Sequence, residues 1–358
     1  MTFLITGSTG LVGQDLVRYL VNRTNYGKKT QKIRLLIRNG KDNPHRQRFL
    51  FWCESKGIDI FHGDLRNEIS LNAFTSVSDP ENSILVHCGA IFNFWESYTL
   101  LYNVNVNGTE RVLRAFHESM IRKLIFISSA AAYGEISEQN GFGITENQSI
   151  DLNQKKGYEL TKALSEDLVR QYKETNPEKS VTILRPTGII GGSSSTMDLL
   201  SRMFFGRYVP LPQGGKDRIS LVDAEDVARA IIFLVDFEKG NGETYNVVGY
   251  TPILREVMQE LGCALQKENL SIIPIPLIVF KPMYYIARFI RKIKKAKEKS
   301  LLIPSLFDKL GQNIWIDERK LKSIGFKYHV TLSDSMEKFG NFVTENPWYI
   351  KEKLGFAL

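Results

Sequence analysis

Hydrophobic positions set the first expectation. Through the first two thirds of the chain, short continuous apolar runs alternate with longer stretches that are apolar on one side only. The runs are Phe3–Thr6, Ile33–Ile37, Ile58–Phe61, Ile84–His87, Lys123–Ile127 and Val181–Leu184. Between them Val12–Arg23, Asn105–Glu118 and Gly157–Asn176 read as helices. Strands that are apolar without interruption suit a sheet covered on both faces, which means parallel βαβ units. An α/β, doubly wound Rossmann-type sheet is the expected fold.

After Gly249 the alternation weakens. A proline-containing apolar segment, Ile272–Pro282, leads into a basic stretch and then into further helical patterns ending at Pro347–Trp348. These features suggest a smaller, mainly helical second domain. The expected division is residues 1–186 with 219–249 for the nucleotide-binding domain, and 187–218 with 250–358 for the substrate domain.

With 358 residues, 43% hydrophobic and 24% charged, the chain has ample material for a core. Its three cysteines, Cys53, Cys88 and Cys263, have neither CxxC nor metal-ligand spacing, so neither a disulfide framework nor a metal site is expected. The apolar strand beginning at Thr2 leaves no room for a secretory leader, which favours a reducing cytoplasmic setting. No apolar stretch reaches the ~18 residues of a membrane span. The net charge of +8 would suit nucleic acid, but no RNP, zinc-finger or helix-turn-helix pattern accompanies it, and no nucleic-acid partner is expected.

The strongest local signal is Thr6-Gly7-Ser8-Thr9-Gly10-Leu11-Val12-Gly13, directly after the first strand. Gly7 permits a tight turn, Gly10 lets the backbone approach a diphosphate, and Gly13 lets helix and strand pack closely. The helix N-terminus then offers unpaired N–H groups to the anion. At the end of the second strand an NAD enzyme usually carries an acid for the ribose hydroxyls; here Arg38 follows Ile37, with no acid before Asp42. A guanidinium there suits a 2′-phosphate, with Lys41 or Arg46 in support, so NADP(H) is expected rather than NAD(H).

Tyr158 and Lys162 stand one helical turn apart. The ammonium is expected to favour the tyrosinate and draw the phenol down from its usual ~10. Tyr158 can then exchange a proton with a carbonyl or alcohol oxygen. Upstream, Ser128-Ser129-Ala-Ala-Ala-Tyr133-Gly134 puts hydroxyls at a strand's carboxyl end, where open α/β sheets bind ligands.

These pieces, together with Gly63-Asp64-Leu65, His87-Cys-Gly-Ala90, Asn105-Val-Asn-Gly-Thr109, Arg185-Pro-Thr-Gly188 and Val222–Val227, resemble the extended short-chain dehydrogenase/reductase superfamily over roughly residues 1–250. The resemblance implies that Asp64 and Leu65 flank the adenine and that Cys88, Gly89 and Ala90 line the cofactor. It further implies that Ser129, favoured over Ser128, joins Tyr158 and Lys162 in catalysis, and that Ser128 and Lys162 also touch the cofactor. Pro186, Thr187, Gly188 and Ile189 would cover the nicotinamide, and Asn105 would anchor a helix rather than act on substrate. A homodimer is a family-level expectation.

Within this superfamily three readings remain. Val86–Asn93, Asn105–Thr109 and Leu184–Ser195 resemble the branch of thioester, steroid-type and dihydroflavonol-type reductases, which act on bulky apolar carbonyl compounds, and Ile272–Phe280 with Met283, Tyr284, Tyr285 and Phe289 would wall an apolar pocket. Nucleotide-sugar epimerases and dehydratases with bound NAD are the alternative, although glycine at 188 replaces their usual asparagine. A catalytically silent NADP-binding sensor or scaffold is the reading from another class. Finally, residues 284–299 show apolar positions near helical spacing among arginines and lysines, a pattern suited to a membrane surface or an acidic carrier.

Overall fold

The computed structural model describes residues 1–25, 31–40, 43–93, 96–134, 143–153, 157–237, 240, 242–267, 269–279, 282 and 315–349. The expected helix at 284–299, Lys41, Asp42, Met283, Tyr284, Tyr285 and Phe289 lie outside those residues.

The elements are β1 (Thr2–Thr6), α1 (Leu11–Asn25), β2 (Lys32–Ile37), α2 (Pro44–Ser55), β3 (Asp59–His62), α3 (Glu68–Thr75) and β4 (Ser83–His87). Then come α4 (Tyr98–Leu101), a π-helical turn (Tyr102–Val106), α5 (Asn107–Glu118), β5 (Lys123–Ile127), α6 (Tyr158–Thr175) and β6 (Ser180–Pro186). They are followed by β7 (Gly188–Ile190), α7 (Ser195–Ser201), β8 (Tyr208–Pro212), β9 (Leu221–Asp223), α8 (Ala224–Asp236) and β10 (Thr244–Val247). The last are α9 (Leu254–Ala264), β11 (Ser271–Ile275), α10 (Arg319–Ser323), α11 (Leu332–Glu345) and α12 (Pro347–Tyr349).

Seven strands form one sheet in the order β3-β2-β1-β4-β5-β6-β10, and every pairing is parallel. Alternation along each strand feeds two cores. Phe3, Ile5, Ile84 and Val86 face α1 and α8, packing on Leu16, Leu20, Val227 and Ile231. Leu4, Leu85, Leu124 and Phe126 face the other side, against Phe74, Phe116 and Val169. The strand order reverses between β1 and β4, the switch point at which such sheets bind ligands.

Two small parallel pairs, β7 with β9 and β8 with β11, stand apart from the main sheet. Around β8 a third core gathers Met197, Leu200, Val209, Leu211, Leu254, Leu261, Phe339 and Val343. Among the described residues no helix is long and apolar enough to cross a membrane.

Candidate active site

The glycine turn is built as its sequence requires. Gly7 has φ +69°, and a Cβ there would stand 2.6 Å from backbone atoms of Cys88 and Gly89. A Cβ on Gly13 would come within 2.4 Å of the Gly7 carbonyl, so α1 can pack on β1 only with glycine at that place. Gly10 is different: its Cβ would meet only the Gly7 oxygen, at 3.2 Å, and otherwise project into open space. Ser8 buries its hydroxyl without a hydrogen-bond partner. A cradle that a Cβ would fill and an unsatisfied polar atom beside it fit a diphosphate at the N-terminus of α1.

A cleft of about 690 Å³ starts from this turn and runs across the carboxyl ends of the strands. Gly7, Thr9, Gly10, Leu11, Val12, Gly13, Cys88, Ala90, Ser128, Ser129, Tyr158, Lys162 and Pro186 to Ile189 all line it. Five of the expected cofactor contacts, Ser8, Arg38, Asp64, Leu65 and Gly89, do not. Gly89 is close beneath Leu65: a Cβ there would meet the Leu65 side chain at 2.9 Å. Asp64 accepts hydrogen bonds from the Arg66 guanidinium at 3.0 and 2.8 Å, which holds its carboxyl below the usual range. Arg38 is exposed; its carbonyl accepts a 2.7 Å hydrogen bond from Arg46, whose side chain does line the cleft.

The catalytic candidates come from two elements. β5 ends at Ile127, and Ser129 follows in extended conformation as the cap of a short 3-10 turn, its Oγ accepting from Ala131 N at 3.1 Å. Tyr158 opens α6, where Lys162 and Glu166 follow on the same face. Tyr158 and Ser129 share a side-chain hydrogen bond. The ring of Phe92 meets Tyr158 edge-on at 4.7 Å.

Ser128 turns elsewhere, donating to Oε2 of Glu166, which is fully buried. Nε of Arg185 also donates to that carboxylate, at 3.0 Å, and Nη1 of Arg185 donates to the Tyr133 hydroxyl at 2.8 Å. Tyr133 in turn donates to Asn246 at 2.7 Å. These bonds knot α6, the Ser128–Ser129 corner, β6 and β10 together just below the cleft.

Electrostatics correct one expectation. Burial pushes the Tyr158 phenol up, opposed by the Ser129 hydrogen bond and reinforced by the Glu159 carboxylate, rather than down under the Lys162 ammonium. The reason is geometric: Lys162 Nζ donates to the Ile127 carbonyl at 2.8 Å and rests over the Phe126 ring at 4.7 Å. Burial pulls the ammonium down to about 8, against which Glu166 helps to keep it charged. A second correction concerns the apolar tail. Among the described residues, none of 272–279 lines the cleft; its apolar wall is made by Phe92, Leu199, Met203, Ile219, Leu254 and Ile316, among others. Strand β11 instead pairs with β8 on the molecule's outside.

Asn105 sits in the π-helical turn and grips both the N–H and the carbonyl of Ile91, at 2.7 and 3.1 Å, while donating to Thr161 at 3.0 Å. His87 is buried between Thr6 and Thr109, and burial lowers it to about 3, so it stays neutral. Reading the sequence missed Phe92 and the Glu166–Arg185 pair. Glu166 repeats the Tyr158–Lys162 spacing and was in principle findable.

Residues 3–248 match the NAD dependent epimerase/dehydratase family. The chain belongs to that family. It is an extended short-chain dehydrogenase/reductase in fold, and its family is described as NAD dependent. A UDP-glucose 4-epimerase from Vibrio cholerae is 28% identical over 292 residues, 78% of this chain and 80% of that one. Sterol demethylase protein B from Methylococcus capsulatus is also 28% identical, over 290 residues covering 79% and 78%. Among solved structures, a UDP-glucose 4-epimerase from Thermus thermophilus in complex with NAD superposes with a TM-score of 0.70 at 20% identity, covering 96% of this chain and 99% of that one.

Proposed function

We propose that the protein transfers a hydride between NADP(H) and a carbonyl or alcohol of a bulky, largely apolar substrate: a ketone, an aldehyde or an acyl thioester. The observation that carries this reading is the Ser129–Tyr158 hydrogen bond at the floor of a cleft walled mainly by Phe92, Leu199, Met203, Leu254 and Ile316. Such walls suit an apolar substrate fixed by a few convergent polar groups.

When bound, the nicotinamide supplies the hydride; the protein supplies position and charge. Ser129 and Tyr158 together grip the substrate oxygen. The buried phenol stays protonated at neutral pH and is poised to give its proton to that oxygen as negative charge develops. The Lys162 ammonium, in a desolvated site, stabilises the phenolate left behind. Pro186 to Ile189 close the cleft on the other side.

NADP(H) is favoured over NAD(H) by Arg46, which lines the cleft and is bonded to the Arg38 carbonyl, and by Asp64 being already engaged by Arg66. The nucleotide-sugar epimerase reading keeps one specific support besides the relatives: Arg218, set over the Trp315 ring at 5.3 Å, lines the cleft and is a cation that a sugar diphosphate would seek. The test is a panel. NADPH consumption with apolar ketones, aldehydes or acyl thioesters supports the proposal. Interconversion of UDP- or dTDP-sugars without net cofactor consumption supports the epimerase, and tight NADPH binding with no turnover at all supports a sensor.

A further inference from the structure

The strand pair β8–β11 is apolar on both faces. Register sets Tyr208 opposite Ser271, Pro210 opposite Ile273 and Pro212 opposite Ile275. Side chains alternate, so Tyr208, Pro210, Pro212, Ser271, Ile273 and Ile275 share one face, open at its Tyr208 end and covered at Pro212, while Val209 and Leu211 occupy the other. Val209 and Leu211 are buried in the third core, whereas Tyr208 is 42% and Ile273 40% exposed. A pair with one solvated face should be polar on that side. Of the residues named on this outward side, only Ser271 is polar.

Both ends of the face extend the pattern. At one end a tight turn, closed by reciprocal backbone bonds between Phe205 and Tyr208 of 2.8 and 3.0 Å, lifts Phe205 to 57% exposure. Arg207 lies over the Tyr208 ring at 5.0 Å and donates to its hydroxyl at 2.9 Å. At the other end Ile278 is 83% exposed and Val279 47%. The sequence then enters Lys281–Lys299, with eight lysines and arginines and one glutamate. No aspartate or glutamate occurs from Leu199 to Lys216, or from Asn269 to Lys297.

From these observations we infer that the outward face of β8–β11, with the Phe205–Tyr208 turn, docks on the surface of an anionic lipid bilayer. Exposed aromatic and aliphatic side chains enter the interfacial zone, where tyrosine is at home, Arg207 meets the lipid phosphates, and the basic composition of the sequence beyond Val279 adds to the charge that favours an anionic surface. A protein partner would be expected to find some acidic groups here to pair with its own cations; an anionic membrane needs none. Met203, two residues before Phe205, already lines the active-site cleft, so docking brings the cleft close to the bilayer. This accords with the apolar substrate proposed above, but the docking itself does not depend on the reaction.

The test is co-sedimentation of the full chain with phosphatidylcholine vesicles, with and without phosphatidylglycerol. Binding to the anionic vesicles alone, weakened at high salt and lowered at least ten-fold in Phe205→Asp/Ile273→Asp, is the expected result. Ile69→Asp, which changes a residue 82% exposed on α3, should leave binding intact. NADPH binding and the thermal melt report whether the double variant is folded, and Tyr208→Ser offers a milder change at the same face. Absence of anionic-vesicle binding, or binding indifferent to the face substitutions, overturns the inference. So does a dimer in light scattering that Ile273→Asp dissociates, since the face would then join two copies. These readouts need no turnover, so loss of docking and loss of the carbonyl reaction can be told apart.

Discussion

Glu166 and Arg185 form an ion pair whose side chains are 0% and 2% exposed, and the same carboxylate accepts the hydroxyl of Ser128. Two charges taken so far from water are tolerated only because almost every donor and acceptor is matched. Arg185→Met should therefore leave Glu166 charged and stranded, costing about 3–5 kcal/mol of stability. Urea unfolding at neutral pH measures it.

The two adjacent serines should separate cleanly. Ser129 touches Tyr158, so Ser129→Ala should lower kcat by about 10²-fold or more with the fold unchanged. Ser128 serves Glu166, so Ser128→Ala should cost stability, roughly 1–3 kcal/mol, and much less in kcat. Steady-state kinetics alongside thermal melts distinguish the two.

The buried Lys162 sets a pH limit. Its pKa falls from an ordinary 10.5 to about 8, so the ammonium is complete below that value and lost as pH rises through it. The kcat/KM for carbonyl reduction, which reports the free enzyme, should fall on an alkaline limb near 8. Glu166 keeps the lysine charged, so Glu166→Gln should move that limb to lower pH. A purely structural role for Glu166 would scale the whole profile without shifting it.

Two glycines of the turn should respond differently. Gly13→Ala drives a Cβ to 2.4 Å from the Gly7 oxygen and should destabilise the fold. Gly10→Ala meets that oxygen at 3.2 Å and otherwise fills the anion's approach, so NADPH affinity should drop about ten-fold or more while stability moves by about 1 kcal/mol at most. Fluorescence titration with NADPH and thermal melts check both.

Much of this was legible beforehand because local patterns carried it. Continuous apolar runs mark β1 to β6 since a sheet covered on both faces leaves no polar alternation to hide them. The glycine turn was readable because backbone geometry leaves so little choice of residue. What escaped depends on distant chain segments meeting. Glu166 reaches Arg185 and Ser128 only through the packing of α6 on the sheet, and Phe92 reaches Tyr158 from a loop after β4. The Ile272–Phe280 segment was read as a pocket wall because hydrophobicity reports a preference for leaving water, not a direction. Register with β8 decides the direction: Ile272 packs on the third core while Ile273, on the opposite face, is turned outward.

The most direct test is single-turnover consumption of NADPH with a long-chain apolar ketone, comparing the wild-type chain with Tyr158→Phe. Turnover should fall by about 10²- to 10⁴-fold in the variant while its NADPH affinity stays unchanged. A variant that consumes NADPH at the wild-type rate would contradict the account, because the phenol beside Ser129 would then have no part in moving the proton.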